Sequence, residues 1–138
     1  MKRLKVAFLL MACAQAAHSL EEYWGRLWEV FVPAQFLSSF VWPPNPVVGF
    51  LIINVSLVAL GFWCYFRVVR TDHRSLRAWV WFFVVLQSIN GVGHTVWAGM
   101  NHGYRPGLIT AIPFLVLVPV LVRELSKTRT PPVLAQAG

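Results

Sequence analysis

Charge is what this sequence has least of. Five of its 138 residues are acidic and 12% are charged in all, against 57% hydrophobic. With a mean hydropathy of +0.61, that composition excludes an ordinary soluble domain, and the length allows one domain. Cysteine is scarce as well. Cys13 and Cys64 lie in different apolar runs, so they read as buried thiols and carry no information about redox compartment. No internal repeat stands out.

Long apolar runs are what the chain has instead. Val6–Ala17 is broken only by Gln15, Val47–Phe66 and Ala78–Gly99 carry no charge, and Leu108–Val122 contains Pro113 and Pro119. A helix needs about 20 apolar residues to cross a bilayer, and neighbouring helices make proline tolerable there. The expected fold is an all-α integral membrane bundle of four transmembrane helices over residues 1–125. A polar, disordered cytoplasmic tail would follow over 126–138. Residues 25–46 are too apolar for a free loop, and Trp42-Pro43-Pro44-Asn45-Pro46 cannot be helical throughout. This stretch is expected to form a short interfacial helix and a rigid turn on the outer face, either a lid over the helix ends or a plain anchor.

The net charge of +7 does not indicate nucleic acid, because of where the cations lie. Lys2, Arg3 and Lys5 precede the first run, Arg67, Arg70, Arg74 and Arg77 fill the second loop, and Arg123, Lys127 and Arg129 follow the last run. The remaining loops hold Arg26 and Arg105. This asymmetry places both termini in the cytoplasm, with a bacterial inner (plasma) membrane as the expected location. A competing expectation treats the N-terminus as a cleaved signal peptide ending near Ala14-Gln15-Ala16, which would leave three spans. Leu10-Met11-Ala12-Cys13 also faintly resembles a lipoprotein box.

Within the apolar runs, His18-Ser19-Leu20-Glu21-Glu22 is expected to project an imidazole and two carboxylates together from one face of a helix, a turn after Gln15. Ionisable groups at membrane depth cost several kcal/mol unless paired, metal-bound or near water, so such a cluster is a functional candidate. The glutamates would also suit the place where a helix meets water. In the third run, Gln87, Asn90 and His94 recur at spacings of three and four, with Gly91 and Gly93 beside them to admit a neighbouring helix. Counting from the inner boundary at about 1.5 Å per residue, His18 lies about 21 Å up, His94 about 24 Å and Asn90 about 18 Å. Asn54 falls about 10 Å below the outer surface. A shared level in the outer half implies one polar site.

Three motifs in order resemble those of the HXXEE family of small integral membrane proteins: His18-Ser19-Leu20-Glu21-Glu22, Asn90-Gly91-Val92-Gly93-His94 and Tyr104-Arg105-Pro106-Gly107. The resemblance implies a membrane enzyme without assigning a substrate. It marks His18, Glu21, Glu22, Asn90, His94 and Tyr104 as catalytic candidates, with Pro106 and Gly107 beside them. Two imidazoles and two carboxylates can hold a divalent metal such as zinc or iron. His18, Glu22 and His94 would be the ligands and Glu21 the general base, a faint likeness to the H-x-x-E-H zinc-peptidase motif. Without metal, the same groups could perform acid/base chemistry. Gln15, Asn54, Gln87, Gly91, Gly93, Pro106 and Gly107 are the expected pocket for a hydrophobic or lipid-like substrate. The lipid bilayer is the expected surrounding partner, and a homo-oligomer is open. A small proton or ion transporter and a lipid-binding accessory protein are the alternatives.

Overall fold

A computed structural model describes residues 1–127. Among them the chain is all-helical: α1 (Lys2–Trp24), α2 (Leu27–Val30), α3 (Val32–Val41), α4 (Pro46–Cys64), α5 (Leu76–Met100) and α6 (Leu108–Lys127). Residues 2–24 contain no glycine or proline and a single β-branched residue, Val6, so nothing interrupts α1 before Gly25. There the Gly25 N–H bonds the Glu21 carbonyl at 2.9 Å. Asn45 caps α4 by accepting from the Val47 N–H at 3.0 Å, with Pro46 as the first helical residue. α4 continues into a π-helical segment, Tyr65–Val69, where the expected span simply ended.

Two helical stretches, Pro46–Val69 and Leu108–Lys127, are long and apolar enough to cross a membrane. α1 and α5 are as long, but His18, Glu21 and Glu22 in one and Gln87, Asn90 and His94 in the other interrupt their apolar character. α6 packs along both α5 and α1, and α1 packs along α4. The polarity of the bundle is inverted. Gln15, His18, Glu22, Asn54, Gln87 and His94 are buried, while Val6, Val55, Phe82, Ile89, Val92 and Val116 are exposed. Soluble domains bury the second kind and seldom the first.

One end of the bundle gathers the basic segments. Lys5 Nζ donates to the Arg70 carbonyl at 2.9 Å and pairs with Asp72 at 2.7 Å. Arg77 Nη1 donates to the Leu125 carbonyl at 3.0 Å. The N-terminus, second loop and end of α6 therefore share a face. Arg77 also explains why α6 runs past Val122, since it satisfies a carbonyl of the last turn. Ser126 and Lys127 belong to that helix, and the rest of the expected tail lies outside the described residues. Above this end sits a continuous apolar core that includes Leu4, Phe8, Met11, Phe83, Phe114 and Leu121. Cleavage near Ala16 would remove three of those six residues.

The 25–46 stretch forms α2 and α3, then a turn into α4. Leu27, Trp28 and Phe50 make a second cluster with Phe31 and Trp97 packed against it. Two expectations need correction. Cys64 is buried but Cys13 is exposed, because Met11, Ala12, Gln15 and His18 occupy the inward face of α1 and leave Cys13 pointing away. Gly91 does admit a helix: a Cβ there would lie 3.0 Å from Leu115 Cδ2 of α6. A Cβ at Gly93 would meet nothing within 4 Å, so Gly93 borders open space.

Candidate metal centre

α1 and α5 reach each other through side chains, and their polar residues form two connected layers. In the lower layer every donor runs in one direction. Asn90 Nδ2 donates to Gln87 Oε1 at 3.0 Å, and Gln87 Nε2 to Gln15 Oε1 at 2.6 Å. Gln15 Nε2 donates to Ser19 Oγ at 3.0 Å, and Ser19 to Asn54 Oδ1 at 2.8 Å. Asn54 Nδ2 then donates to the Phe50 carbonyl at 3.2 Å. This chain ties α5, α1 and α4 into one rotation. Gln15 and Gln87, expected to line a pocket, are fully buried and bonded to one another.

One turn above, Glu22 stands between the two histidines. Its Oε1 lies 3.2 Å from His18 Nε2, one helical turn away on α1, and 3.1 Å from His94 Nε2 on α5. The rings meet edge to face, with centroids 4.7 Å apart. All three residues are buried, and one ligand atom from each lies within 4.8 Å of the others. Four-coordinate zinc with bonds near 2.0–2.1 Å sets its ligand atoms about 3.3 Å apart. The two separations from Glu22 match that spacing.

Glu21 serves a different partner. Its carboxylate accepts from Tyr104 Oη at 2.8 Å, the Ile109 N–H at 3.2 Å, the Thr110 N–H at 2.8 Å and Thr110 Oγ1 at 2.5 Å. Two of these donors are N–H groups of the first turn of α6, which have no partner within the helix. Glu21 is thus a cap for α6 supplied by α1, and four donors occupy it.

Thr110 also touches His18, with Nδ1 3.0 Å from its Oγ1. A threonine has one hydroxyl hydrogen. With that hydrogen on Glu21, Thr110 accepts from His18 Nδ1–H, and a neutral His18 then turns the lone pair of Nε2 towards Glu22. A lone pair facing a carboxylate oxygen needs a metal ion or a proton between them. His18 Nε2 is buried and has no aligned hydrogen-bond partner, so the donor set suits a metal. Fixing a ligand histidine through its other nitrogen is the usual outer arrangement at such centres. Thr110 was not legible in the sequence, where it is one hydroxyl in an apolar run.

The 104–107 turn closes the site from above. Tyr104 bonds Glu21. Pro106 lies against Gly25, where an added Cβ would come within 2.4 Å of it. Gly107 has φ +89°, and a Cβ there would sit 2.6 Å from His94 Cε1 and 2.9 Å from His18 Cε1. No side chain fits between the backbone and the two rings. Partial desolvation, then the hydrogen bond to and charge of Glu21, raise the Tyr104 phenol above its ordinary value.

A family model described as a protein of unknown function with an HXXEE motif matches residues 9–122. The chain belongs to the HXXEE-motif family. No curated protein and no solved structure matches it. The match covers both layers of polar residues and the closing turn, so the motif residues of this HXXEE chain are the ones its geometry assembles. Of the expected catalytic residues, His18, Glu22 and His94 come together. Glu21 and Tyr104 form the clamp on α6, and Asn90 ends the lower layer.

Proposed function

We propose that this HXXEE protein is an integral membrane enzyme whose His18, Glu22 and His94 hold a divalent metal, zinc or iron, and act on a hydrophobic or lipid-like substrate. The observation carrying the proposal is the convergence of two buried imidazole nitrogens on one Glu22 oxygen. A metal so held would polarise a substrate oxygen or lower the pKa of bound water. Glu21, occupied by four donors, is a positioning group. Glu22 and the imidazoles remain as groups able to take a proton.

The membrane part of the proposal has four spans, α1, α4, α5 and α6. It rests on the apolar outer surface, the buried polar layers and the two helical stretches of spanning length and composition. The 23 and 25 residues of α1 and α5 extend about 35 Å, enough for a hydrocarbon core of about 30 Å. The basic end would face the cytoplasm of a bacterial inner membrane, with α2 and α3 at the outer interface.

The same 3.1 and 3.2 Å separations also suit protons shared between Glu22 and the histidines, which makes metal-free acid/base catalysis the second reading. Elemental analysis of detergent-purified protein separates them. One metal per wild-type chain, absent from folded His18→Ala, is the expected result. A metal-free wild type after supplementation with zinc and iron would leave the acid/base version.

A further inference from the structure

Beside His94 the bundle is open. A cavity of about 110 Å³ lies between the α2–α3 junction and α5, lined by Phe31, Ile89, Gly93, His94 and Trp97. Its floor exists because residue 93 has no side chain, as a Cβ there would stand in empty space. Ile89 is exposed on the apolar outer surface, so the cavity faces sideways. Phe31 and Trp97 form an aromatic wall with ring centroids 4.7 Å apart. Beyond that wall, the Arg105 guanidinium lies 5.6 Å from the Trp97 ring. Arg26, the other arginine near this end, is paired with Glu29 at 2.6 Å. Arg105 makes no ion pair among the described residues; its Nη2 donates to Asn101 Oδ1 at 3.0 Å, and its buried Nε has no hydrogen-bond partner.

We propose that this cavity is the side entrance through which the hydrocarbon chain of a single-chain anionic lipid, such as a fatty acid, reaches the His18–Glu22–His94 group, with its headgroup held outside by Arg105. This deepens the membrane-enzyme reading and rests on it. Size decides which part of the lipid enters. An engineered apolar cavity of about 150 Å³ takes up benzene, so the smaller space here admits a slim chain and excludes a ring or headgroup. Chemistry agrees. No charged residue lines the cavity, and a carboxylate drawn into it would lose its water without gaining a donor. Arg105, Trp97 and His94 succeed one another as anchor, wall and reactive end.

A larger groove of about 480 Å³ runs between α1 and α4 past Leu20, Tyr23, Asn54 and Val55. It contains none of the three candidate ligands, and its Ser19 and Asn54 are bonded to each other. It is the rival position for a chain.

The test uses full-length protein in liposomes with a fatty acid carrying a diazirine at its methyl end. Irradiation is expected to place adducts on Phe31, Ile89 or Trp97. Gly93→Leu should remove most of this labelling and Gly93→Ala part of it, with bound metal unchanged, and Arg105→Gln should weaken it. A matching fatty alcohol should label these residues less than the acid does. Adducts concentrated on Leu20 or Val55, or labelling near His94 unaffected by Gly93→Leu, would overturn the entrance. Equal labelling by the alcohol would overturn the anionic headgroup. Because the adducts are read without metal, a metal-free protein would refute the metal centre and leave this test standing.

Discussion

Glu21 and Glu22 are adjacent in sequence, yet their carboxylates do separate work. Glu22 points between two imidazoles, 3.2 Å from His18 and 3.1 Å from His94. Glu21 points at the start of α6 and accepts from Tyr104, Ile109 and Thr110. A helix turns about 100° per residue, so neighbours cannot share a target. The pair is one candidate ligand and one clamp.

Metal binding should therefore separate the two glutamates. Glu22→Ala, His18→Ala and His94→Ala are each expected to abolish stoichiometric metal. Glu21→Gln and Thr110→Val should retain the site but weaken it by about 10–100-fold, as loss of an outer partner does. Thr110→Ser keeps the hydroxyl and should bind close to wild type. Competition with a chelator measures all six. Equal loss from Glu21→Gln and Glu22→Ala would refute the division.

Gly107 should tolerate no side chain. Its φ of +89° disfavours any L residue by about 1–2 kcal/mol. A Cβ would also press on both histidine rings, at 2.6 Å and 2.9 Å. Gly107→Ala is expected to lower the thermal midpoint and to lose metal. Gly99→Ala, at an open position on α5, should do neither. Wild-type metal content in Gly107→Ala would show that the rings do not depend on this turn.

Much of this arrangement is legible in the sequence. Helix positions follow from uncharged runs, and the spacings at Gln15, His18, Glu22 and at Gln87, Asn90, His94 mark the inward faces of two helices. The three motifs select the residues that meet. What the sequence does not reveal is direction within the cluster. The one-turn spacing from His18 singles out Glu22 as the ligand, but nothing in Glu21-Glu22 shows that Glu21 turns to the start of α6, because that depends on where α6 begins against α1. Thr110 is silent for a related reason: one hydroxyl in an apolar helix carries no periodic signal. Gly91 and Gly93 look equivalent, and only the position of α6 shows that one is covered and the other open.

The clamp should register in a pH titration. Partial desolvation, then the hydrogen bond to and charge of Glu21, raise the Tyr104 phenol. A group raised on folding stabilises the fold fully below its unfolded value, near 10 for tyrosine. That contribution is lost as pH rises through the folded value. Unfolding midpoints of wild type and Tyr104→Phe should therefore differ most below about pH 10 and converge above it. A constant gap across that range would mean that Tyr104 acts by packing alone.

The lower layer should behave as a coupled unit. Gln15→Leu leaves Gln87 Nε2 buried without its acceptor, which costs about 1–3 kcal/mol in soluble proteins. Measured couplings between membrane helices average about 0.6 kcal/mol. Gln15→Leu and Gln87→Leu should each lower stability in detergent unfolding, and the double variant should cost less than their sum. Strict additivity would argue that the 2.6 Å bond contributes nothing.

The proposal as an enzyme rather than a transporter rests on where polarity stops. Below the Gln15–Gln87 pair, the interior is closed by Met11, Phe8 and Leu4 from α1, Phe83 and Val80 from α5, and Leu121 from α6, all essentially inaccessible. Phe8 and Phe83 meet edge to face at 5.2 Å in the middle of this plug. A proton or metal ion moving towards the basic end would find no hydrogen-bonding side chain among those six residues, and an unpaired charge in such surroundings is many times thermal energy less stable. Local opening would have to separate α1 from α5 and break the core itself. Protein reconstituted in liposomes is therefore expected to carry no proton, zinc or iron flux above empty vesicles, with a pH-sensitive or metal-sensitive dye as the readout. Phe83→Asp, which places a carboxylate in the plug, supplies the comparison that a leak would be seen. Wild-type flux that disappears in His18→Ala and His94→Ala would refute the enzyme reading and make the same histidines the outer binding station of a transporter.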